Sequence, residues 1–554
     1  MKQISALDPG VLSLEEKVGQ LFLLAFEGAS AREAKPLLRD CFVGSVYLSQ
    51  DNLTGVDQAV QLLCDLQDTG AATPHALPIL AACDQEGAWS VLNPYSTAGP
   101  GALALGAARS DLIEAMFAVI GRELRVLGIS ADLAPVADVN CNPRNPIIGS
   151  RSFGGDAKRV AEAVEAAVRG LHRGGVVACA KHFPGHGDTA QDSHQGAGVV
   201  ARDAQQIRNG DLIPFRAAIA AGVDMIMTAH LLYPAFDPEW PATLSPAILQ
   251  NLLRQELGFT GVILTDSFSM GAIRRLYDPA EAAIRAINAG ADMIMLAEER
   301  YGAKPEDYLR GQITLIEKVR AAARGGVIPP ARLNEAVNRV LALKAAAGLF
   351  PTAHPRREEA VRVVGCAAHR AVELEAARAA VAVVRNRDGR APLALAAGSR
   401  LVVVSPVDPA AYQIFSKMRG IGPNIAEPPA KTLFQQIQRR HASSDLVTIV
   451  DAGAISRYRE ILRSAAAVIV ATENYPLPGF RFPAECQRAV IEGLLAAGLD
   501  PVIIGLRDPY ELLDLPAVRT YISAFGYAPV CSQAAVEVLF GERPAEGRLP
   551  VEIS

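Results

Sequence analysis

The stretch at 181–195, KHFPGHGDTAQDSHQ, holds three histidines, two aspartates and a lysine. Pro184 and Gly185 break helical structure, so this stretch is expected to be a loop. Side chains two residues apart point the same way in an extended chain, which allows Asp192 to face His194. A carboxylate beside an imidazole fixes its tautomer and raises its pKa, which suits the imidazole to proton transfer near neutral pH.

Two other interpretations of the same stretch stay open. His182 and His186 have the i, i+4 spacing of a helical zinc motif. The intervening proline and glycine oppose a helix, and we therefore expect no metal ion. His186 and Asp188 are expected to stabilise the loop through hydrogen bonds to backbone amides. A structural network of this kind is also the alternative for His194.

A second candidate for chemistry is Asp266, which ends the apolar run GVILTD. A buried carboxylate at the end of a strand is costly unless it is paired, which makes this residue a candidate nucleophile or base. The alternative is that Asp266 caps the helix that follows, a position that aspartate favours. Ser267 could fill that capping role instead.

Two further segments carry charged residues that could bind a substrate. ACDQEGAWS holds Asp84 and Glu86, and NPIIGSRSFGGD holds Arg151. The planar guanidinium of Arg151 could anchor two substrate oxygens at once. A structural salt bridge to a carboxylate is the alternative for this arginine.

The elements that must position these residues follow one repeated pattern over residues 1–350. A short apolar run is followed by a loop rich in Gly, Pro, Asp or His, and then by a longer amphipathic stretch. Apolar runs that alternate with helices are typical of parallel strands buried on both faces. Eight such units in about 350 residues predict a (β/α)8 barrel. The runs are QLFLLAF (20–26), VGSVYL (43–48), PILAACD (78–84), SADLAPVA (130–137), VVACAK (176–181), VDMIMTA (223–229), GVILTD (261–266) and ADMIMLA (291–297).

The candidate residues gather at one end of these runs. Asp84 ends the third run, Lys181 ends the fifth run, and His182 directly follows it. His230 follows the sixth run, and Asp266 ends the seventh. Barrel enzymes build their sites at the carboxyl ends of the strands. The distribution therefore predicts an enzyme site at this end of the barrel.

A second domain is expected after residue 380. Residues 351–380 begin with PTAHPRREEA and are interpreted as a linker and a connecting helix, because two prolines mark the boundary. Over 381–554 at least five apolar runs again alternate with helical stretches, which predicts a doubly wound α/β domain. This part has neither GxGxxG nor GxxxxGKS/T, so a nucleotide-binding role has no motif support.

The composition limits the class of protein. Of 554 residues, 50% are hydrophobic and 20% are charged, which excludes an intrinsically disordered chain. Lys plus Arg is 54 and Asp plus Glu is 59, a net charge of −5, so we expect neither nucleic-acid nor membrane partners. No apolar stretch approaches the ~18 residues needed to span a bilayer. The eight cysteines form no CxxC pair and are interpreted as buried thiols of a cytoplasmic protein.

Together and in this order, the segments resemble glycoside hydrolase family 3, and most of all its bacterial β-N-acetylglucosaminidases. The pattern KHFPGHGDT followed by DSH is specific, because the family's β-glucosidases lack it. The resemblance spans nearly the whole chain and includes LRDPYEL and FGYAP of the second domain. Further matching segments are SLEEKVGQLFLLAFEG, DQEG, DLAPVADVN, NPIIGSRSFGGD, DLIPFRAAIAAGVDMIMTAH, TDSFSMGAI and VLFGERPAEGRLPV.

The resemblance implies a role for each matched residue. Asp266 corresponds to the family's catalytic nucleophile, His194 to its histidine general acid/base and Asp192 to the partner carboxylate. The implied reaction is retaining: Asp266 attacks the anomeric carbon while His194 protonates the leaving oxygen, and water activated by His194 then releases the sugar. The positions that hold the sugar hydroxyls and orient the ring are Asp84, Arg151, Lys181 and His182.

The implied activity is exo-acting hydrolysis of terminal β-linked N-acetylglucosamine from cell-wall muropeptide or chitin-derived fragments, without a cofactor or a metal. The expected partner is therefore a small oligosaccharide or muropeptide. A neutral imidazole does not repel an anion, so phosphate could replace water and give a sugar 1-phosphate. The sequence leaves the oligomeric state open.

One departure concerns the run DQEGAWSVL, where the family has DQEGG followed by a Val and an Arg. Ala88 replaces a glycine, and Leu92 stands where the family has an arginine that helps to bind substrate. A lost bidentate donor weakens binding or shifts specificity. Trp89 could supply stacking instead, although packing is the expected role of both Trp89 and Trp240. The departure motivates two rivals: a weakened sugar-binding protein on the same fold, and a glycosidase or phosphorylase of different sugar specificity.

Overall fold

The residues that the structure describes form two sheets, a closed barrel of eight parallel strands and a six-stranded mixed sheet. The predicted fold class, a (β/α)8 barrel followed by an α/β domain, is confirmed. The computed structural model describes residues 9–87, 92, 95–189, 198–297, 304–351, 354–416, 425, 427–473 and 484–553. Within these ranges no helix has the length and apolar character that crossing a membrane requires.

Each of the eight predicted apolar runs coincides with one strand of the barrel, although β5 and β7 extend past the ends of their runs, by two residues and one residue. The strands pair in sequence order, and the last pairs with the first through Ile294 and Phe22, which closes the barrel. Their side chains are largely buried, since the barrel interior lies on one side and helices on the other. The strands are β1 (Phe22–Ala25), β2 (Ser45–Tyr47), β3 (Leu80–Cys83), β4 (Ala131–Asp132), β5 (Val177–Phe183), β6 (Met225–Thr228), β7 (Val262–Ser267) and β8 (Met293–Leu296).

Helices connect these strands around the outside of the barrel. The first begins at a capping box, in which Ser13 accepts from the N–H of Glu16 and the Glu16 carboxylate accepts from the N–H of Ser13. The α-helices are α1 (Leu14–Gln20), α2 (Ala31–Lys35), α3 (Val56–Ala71), α4 (Ala102–Ala107), α5 (Ser110–Leu127), α6 (Ala157–Gly174), α7 (Ala204–Asn209), α8 (Leu212–Ala220), α9 (Gly271–Arg274), α10 (Pro279–Ala289), α11 (Pro305–Arg324) and α12 (Pro330–Ala346). Shorter or irregular helices are Pro9–Val11, Pro36–Asp40, Gly149–Arg151, Ala242–Leu244 and Ala247–Glu256.

The floor of the barrel is closed by α12. Val340 and Leu343 of this helix pack in the same apolar cluster as Met225 and Met293, which line the barrel interior. Lys344 donates to the backbone oxygen of the residue at position 78, just before β3, so α12 lies at the amino ends of the strands. The opposite end, at the carboxyl ends, is left to the loops that carry the candidate site.

The second domain is an α/β layer structure. Its sheet has the order β11-β10-β12-β13-β14-β9, with β9 antiparallel to β14 and the other pairs parallel. The strands are β9 (Ala382–Asn386), β10 (Leu401–Ser405), β11 (Ser444–Thr448), β12 (Ala467–Thr472), β13 (Val502–Gly505) and β14 (Thr520–Ser523). The helices are α15 (Pro409–Phe415), α16 (Pro429–Gln438), α17 (Arg459–Ser464), α18 (Ala484–Ala496) and α19 (Pro529–Leu539), together with the shorter Ala452–Tyr458 and Tyr510–Leu513; helix α13 (Arg357–Val363) and helix α14 (Ala367–Ala380) precede the domain.

The residues between the two sheets form a connecting segment, defined here as 354–380. It contains α13 and α14, and α14 packs on α4 and α5 of the barrel and on α19 of the second domain. The predicted boundaries at residues 350 and 380 stay predictions. The segment bridges the two domains through its helices.

The two domains meet along a seam of backbone contacts. The N–H of Gly155 donates to the oxygen of Pro550 at 3.0 Å, and the N–H of Arg548 donates to the oxygen of Ala107 at 3.0 Å. Apolar side chains from both domains pack beneath these bonds, among them Leu103, Ala104, Phe525 and Val551.

All eight cysteines are free thiols. Cys41, Cys83, Cys179 and Cys531 are buried, in keeping with the interpretation from the sequence. That interpretation is wrong for two others: Cys141 and Cys486 are exposed.

Candidate active site

The predicted residues in the described chain share one face of the barrel. Asp84 directly follows β3, Lys181 and His182 lie in the last half of β5, and Asp266 is the penultimate residue of β7. Because the strands are parallel, their carboxyl ends meet at the same end of the barrel. This end therefore brings together groups that are far apart in the sequence.

Lys181 joins two carboxylates at the mouth of the barrel. Its ammonium group contacts Asp84 Oδ1 and lies 2.6 Å from Glu86 Oε1. Glu86 also accepts two hydrogen bonds from Arg151, at 2.9 Å from Nε and 2.8 Å from Nη2. Tyr47 donates to Asp84 Oδ2 at 2.8 Å. Arg151 thus uses two of its N–H groups to bind Glu86, and so forms the structural salt bridge that was the alternative to anchoring substrate oxygens.

Each charged group in this cluster shifts the pKa of its oppositely charged neighbours towards the charged form. Burial alone would raise the pKa of Glu86, but Arg151 and Lys181 hold that pKa well below its usual range. Burial would lower the pKa values of Lys181 and Arg151, and the carboxylates raise both. All three groups are therefore charged at neutral pH, as buried charges are only when they are paired. Asp84 is the more exposed acid, with 16% of its side chain accessible against 1% for Glu86.

Asp138 organises the start of the 181–195 loop. It is buried and accepts from the N–H groups of His182 and His186, at 3.2 and 2.7 Å. His182 Nδ1 lies 2.7 Å from the other carboxylate oxygen. Burial has the largest single effect and raises the pKa of Asp138, but the charges and hydrogen bonds of His182 and His186 together outweigh it, so the net shift is downward. An ionised carboxylate can only accept, so Nδ1 of His182 carries a proton.

The backbone of this loop is held by the segment that follows β4. The carbonyl oxygens of His186 and Asp188 accept from the side-chain amides of Asn145 and Asn142, at 2.8 and 3.0 Å. Burial lowers the pKa of His186 to about 4, so its imidazole is neutral at physiological pH. In these two bonds, His186 and Asp188 stabilise the loop through their backbone oxygens, which accept from side-chain amides, whereas the sequence predicted bonds to backbone amides. Among the described residues, no three His, Cys, Asp or Glu side chains are grouped to hold a metal ion.

Asp266 stands where the pairing of β7 with β8 changes register. Its Oδ1 accepts from the N–H of Ser267 at 2.7 Å, and its side chain is partly exposed. The hydroxyls of Ser267 and Ser269 donate to the backbone oxygen of Ala297 at 3.1 and 2.6 Å, which fixes the chain beside Asp266. Helix α9 begins after Met270, so both capping alternatives, Asp266 and Ser267, are wrong.

His230 supports the end of β7 from the neighbouring strand. It is buried, with Nδ1 2.8 Å from Thr243 Oγ1 and Nε2 3.1 Å from the backbone oxygen of Ser267. Its ring meets Phe268 edge-on with the centroids 5.7 Å apart. These contacts tie the loop after β6 to the strand that carries Asp266.

Several residues discussed from the sequence lie outside the described chain. Asp192 and His194 are two of them, so their pairing stays a prediction, and Ala88 and Trp89 are two more. Leu92 is described and is 1% exposed, so it packs as an apolar side chain at the position where the family has an arginine. Trp240 packs against the barrel core, with the Arg285 guanidinium 3.3 Å from the centre of its ring. Trp240 is thus a packing residue, as expected.

The second domain contributes residues that the sequence reasoning did not assign. The side-chain amide of Asn140, in the segment after β4, contacts the hydroxyl of Tyr510. Arg507 Nη2 lies 3.7 Å from the position that a Cβ atom would take on Gly149. Gly149 begins the short helix that carries Arg151. The segment after β13 therefore borders the barrel site.

Comparison with known proteins gives a family and a shared architecture. Residues 13–343 match the N-terminal domain of glycosyl hydrolase family 3. The chain is 30% identical to a beta-N-acetylglucosaminidase/beta-glucosidase of Cellulomonas fimi, over 97% of this chain and 93% of that protein. This match includes both domains.

Two solved structures frame the fold. A family 3 beta-N-acetylglucosaminidase from Paenibacillus sp. str. FPU-7 is 31% identical, with a TM-score of 0.86, and covers 98% of this chain and 99% of its own. A beta-N-acetylhexosaminidase from Beutenbergia cavernae DSM 12333 is 33% identical, with a TM-score of 0.55, and covers 60% of this chain and 99% of its own. The matched domain, the relative that spans nearly the whole chain and the common architecture show that this protein belongs to glycoside hydrolase family 3.

Proposed function

We propose that the protein is a retaining, exo-acting β-N-acetylglucosaminidase that releases terminal β-linked N-acetylglucosamine from cell-wall muropeptide or chitin-derived fragments. The observation that carries this proposal is the partly exposed carboxylate of Asp266, on the same barrel face as the Lys181 cluster, in a chain of this family. The activity named for the Cellulomonas and Paenibacillus proteins supports the acetamido sugar.

Asp266 is the proposed nucleophile. Its carboxylate attacks the anomeric carbon and forms a glycosyl-enzyme, which water then hydrolyses with retention of configuration. A nucleophile needs a fixed position, because small displacements from the line of attack are costly in rate. The bonds of Ser267 and Ser269 to Ala297 support this role, since they hold the backbone beside the carboxylate.

His194 is the proposed general acid/base, with Asp192 as its partner carboxylate. In the first step the imidazolium protonates the leaving oxygen, and in the second the imidazole takes a proton from the attacking water. Support comes from the resemblance in sequence and from the anchoring of the loop's beginning, where Asp138 binds the backbone of His182 and His186.

Asp84, Arg151, Lys181 and His182 are the proposed sugar-binding residues. Asp84 is the most exposed of these side chains, so its carboxylate is the main acceptor for sugar hydroxyls. The side chains of Arg151, Lys181 and His182 are each at least nine-tenths buried. Because the charges of Arg151 and Lys181 are already paired with carboxylates, little reorganisation accompanies binding.

The test is the release of nitrophenol from the β-N-acetylglucosaminide and, in parallel, from the β-glucoside. We expect turnover of the acetamido sugar by the wild type and none by Asp266→Ala. The β-glucoside matters because the Cellulomonas relative carries both activity names. Turnover of neither substrate by folded protein would refute the proposal and favour the sugar-binding alternative. Formation of a sugar 1-phosphate at high phosphate would replace hydrolysis by phosphorolysis.

The proposed setting is the recycling of peptidoglycan fragments in the cytoplasm. The free thiols support a reducing compartment. In that compartment the substrate is a small imported fragment rather than a polymer. Separate assays of chitobiose and of a disaccharide with an anhydro-muramic acid leaving group distinguish the two sources.

A further inference from the structure

The loop that leaves β3 with Asp84 and Glu86 returns to the helical layer through residues 95–101. This return leg is held by acids that do not belong to the strand ends. Thr97 donates its N–H and its hydroxyl to the two oxygens of Glu123, each at 2.7 Å. Glu123 lies in α5 and is 1% exposed, so the leg is fixed by a buried carboxylate.

The connecting segment takes part in the same contacts. The Glu123 carboxylate also accepts from the N–H of Gly365 at 2.9 Å and lies 2.7 Å from His369 Nδ1. A second acid, Glu373 of α14, accepts from the N–H of Gly99 at 2.9 Å and is 4% exposed. The leg that returns from the sugar-binding residues is therefore bonded to chain that follows the barrel.

Two glycines show how closely the later chain approaches this leg. Gly365 has a φ of +64°, and a Cβ atom there would lie 2.5 Å from the backbone oxygen of Tyr95. A Cβ atom on Gly526 would lie 2.0 Å from the backbone oxygen of Pro100, to which the Cys531 thiol also donates at 3.4 Å. Side chains at either position would displace the leg, so the connecting segment and the second domain both press against it.

We propose that Glu373 is a positioning residue for sugar binding: through Gly99 it holds the loop that presents Asp84 and Glu86. The connecting segment then sets the affinity of a site whose own residues all lie in the barrel. This inference rests on the proposed function. The Beutenbergia structure covers 60% of this chain and 99% of its own, so about two fifths of this chain has no counterpart in that protein. In this protein, Glu373 of the connecting segment supplies the hydrogen bond that holds Gly99.

The kinetic test compares Glu373→Ala, Glu373→Gln and Arg378→Gln. Alanine removes the acceptor for Gly99, whereas glutamine keeps one. Arg378 is the matched control, because it lies on the same helix but binds Glu537 of α19, with two bonds at 2.8 Å. We expect Glu373→Ala to raise KM about fivefold to tenfold, the size of one lost hydrogen bond, with kcat nearly unchanged. Glu373→Gln and Arg378→Gln should keep the wild-type KM.

The split between KM and kcat separates positioning from damage. A variant that is partly unfolded has fewer active molecules, which lowers apparent kcat and leaves KM unchanged. Loss of kcat alone in Glu373→Ala, or an equal rise of KM in Arg378→Gln, would overturn the inference.

Two measurements without turnover keep this inference separate from the proposed function. Hydrogen exchange at the amides of Thr97 and Gly99 should quicken in Glu373→Ala and not in Arg378→Gln. Calorimetric titration with free N-acetylglucosamine should show the same fivefold to tenfold loss of affinity as KM. An enzyme without activity that still binds the sugar and shows both effects would refute only the proposed function. Faster exchange with unchanged affinity would refute the positioning role.

Discussion

Buried carboxyl groups stand at the carboxyl ends of strands in both domains, yet they are held in opposite protonation states. At the mouth of the barrel, Arg151 and Lys181 overcome the effect of burial and hold the pKa of Glu86 well below its usual range. In the second domain, burial raises the pKa values of Glu473 and Glu511 to about 8. The first acid is an anion at neutral pH, and the other two carry a proton.

The partners explain the difference. Glu511 accepts from the hydroxyls of Thr472 and Tyr521, and Glu473 accepts from the N–H of Ala430 at 3.1 Å. Neutral donors lower a carboxyl pKa less than a buried cation does, so burial dominates. A position at the end of a strand is therefore not enough to make an acid part of a charged site. A buried cation beside it decides whether the acid is ionised.

The largest contrast is expected in activity. Asp266→Asn keeps the shape of the side chain but removes the proposed nucleophile, so kcat on the nitrophenyl β-N-acetylglucosaminide should fall on the order of 10⁴-fold or more. Glu511→Gln, a neutral replacement for a protonated acid, should leave kcat unchanged. Initial rates of both variants, with circular dichroism as the check on folding, decide the matter. Comparable losses in the two variants would erase the distinction between the domains.

The next largest contrast is expected in stability, between the Glu86→Gln and Glu473→Gln variants. Glu86→Gln leaves Arg151 without its charged partner, and a broken buried pair costs about 3 kcal/mol or more of unfolding free energy. Glu473→Gln removes only a proton-bearing oxygen and keeps an acceptor for Ala430, so its cost should stay within about 1 kcal/mol. Urea unfolding at pH 7, read as the shift in midpoint at constant slope, measures both. Equal shifts would contradict the assigned protonation states.

The pH dependence of stability should run in opposite directions in the two regions. Glu473 and Glu511 have ordinary pKa values of 4.5 and folded values of about 8. Between those limits the folded state binds more protons, so stability falls as pH rises from about 4.5 to 8. His186 has an ordinary pKa of 6.5 and a folded value of about 4. There the unfolded state binds more protons, so stability falls as pH drops from 6.5 to 4.

Calorimetric Tm values between pH 4 and pH 8 test these signs. The double variant Glu473→Gln/Glu511→Gln should flatten the alkaline loss, and His186→Gln should flatten the acid loss. At about 1.4 kcal/mol for each unit of pKa shift, the acid branch is worth about 3.5 kcal/mol, and the alkaline branch is worth about 5 kcal/mol for each of its two acids. An unchanged alkaline branch in the double variant would show that other groups cause it.

The smallest contrast concerns two tyrosines with the same local task. Tyr47 donates to Asp84 Oδ2 and Tyr521 donates to Glu511 Oε1, both at 2.8 Å. Tyr47→Phe should lower kcat/KM about tenfold, because Asp84, a proposed sugar-binding residue, loses a hydrogen-bond donor. Tyr521→Phe should leave kcat/KM alone and reduce stability by about 1 kcal/mol. Steady-state kinetics and urea unfolding on both variants provide the readouts.

The barrel strands were predictable because burial on both faces leaves uninterrupted apolar runs. Strand β14 was less visible, since it begins with Thr520 and ends with Ser523, both of which are buried polar residues. A search for apolar runs passes over such a strand. Its identity as a strand comes from pairing with β13 and β9, which is tertiary information.

The site was predictable where one residue sufficed and not where a pair was needed. Asp138 ends the run DLAPVAD, and the rule that selected Asp84 and Asp266 would have selected it too. The bond between Glu86 and Arg151 has no local signal, because the guanidinium has many possible partners. The approach of Arg507 to Gly149 joins positions in different domains, and no periodicity or spacing predicts it.

The contact between Gly155 and Pro550 can form only late in synthesis, because Pro550 is added long after the barrel. The barrel leaves the ribosome before residues 547–551 exist, and the roughly 200 residues between them take about 10–40 s to add at about 5–20 residues per second. Until then Leu103 and Ala104 of α4 lack their cover from Phe525 and Val551. During this interval the nascent barrel exposes the apolar face of α4, which could bind other apolar surfaces. Docking of the second domain then covers this face.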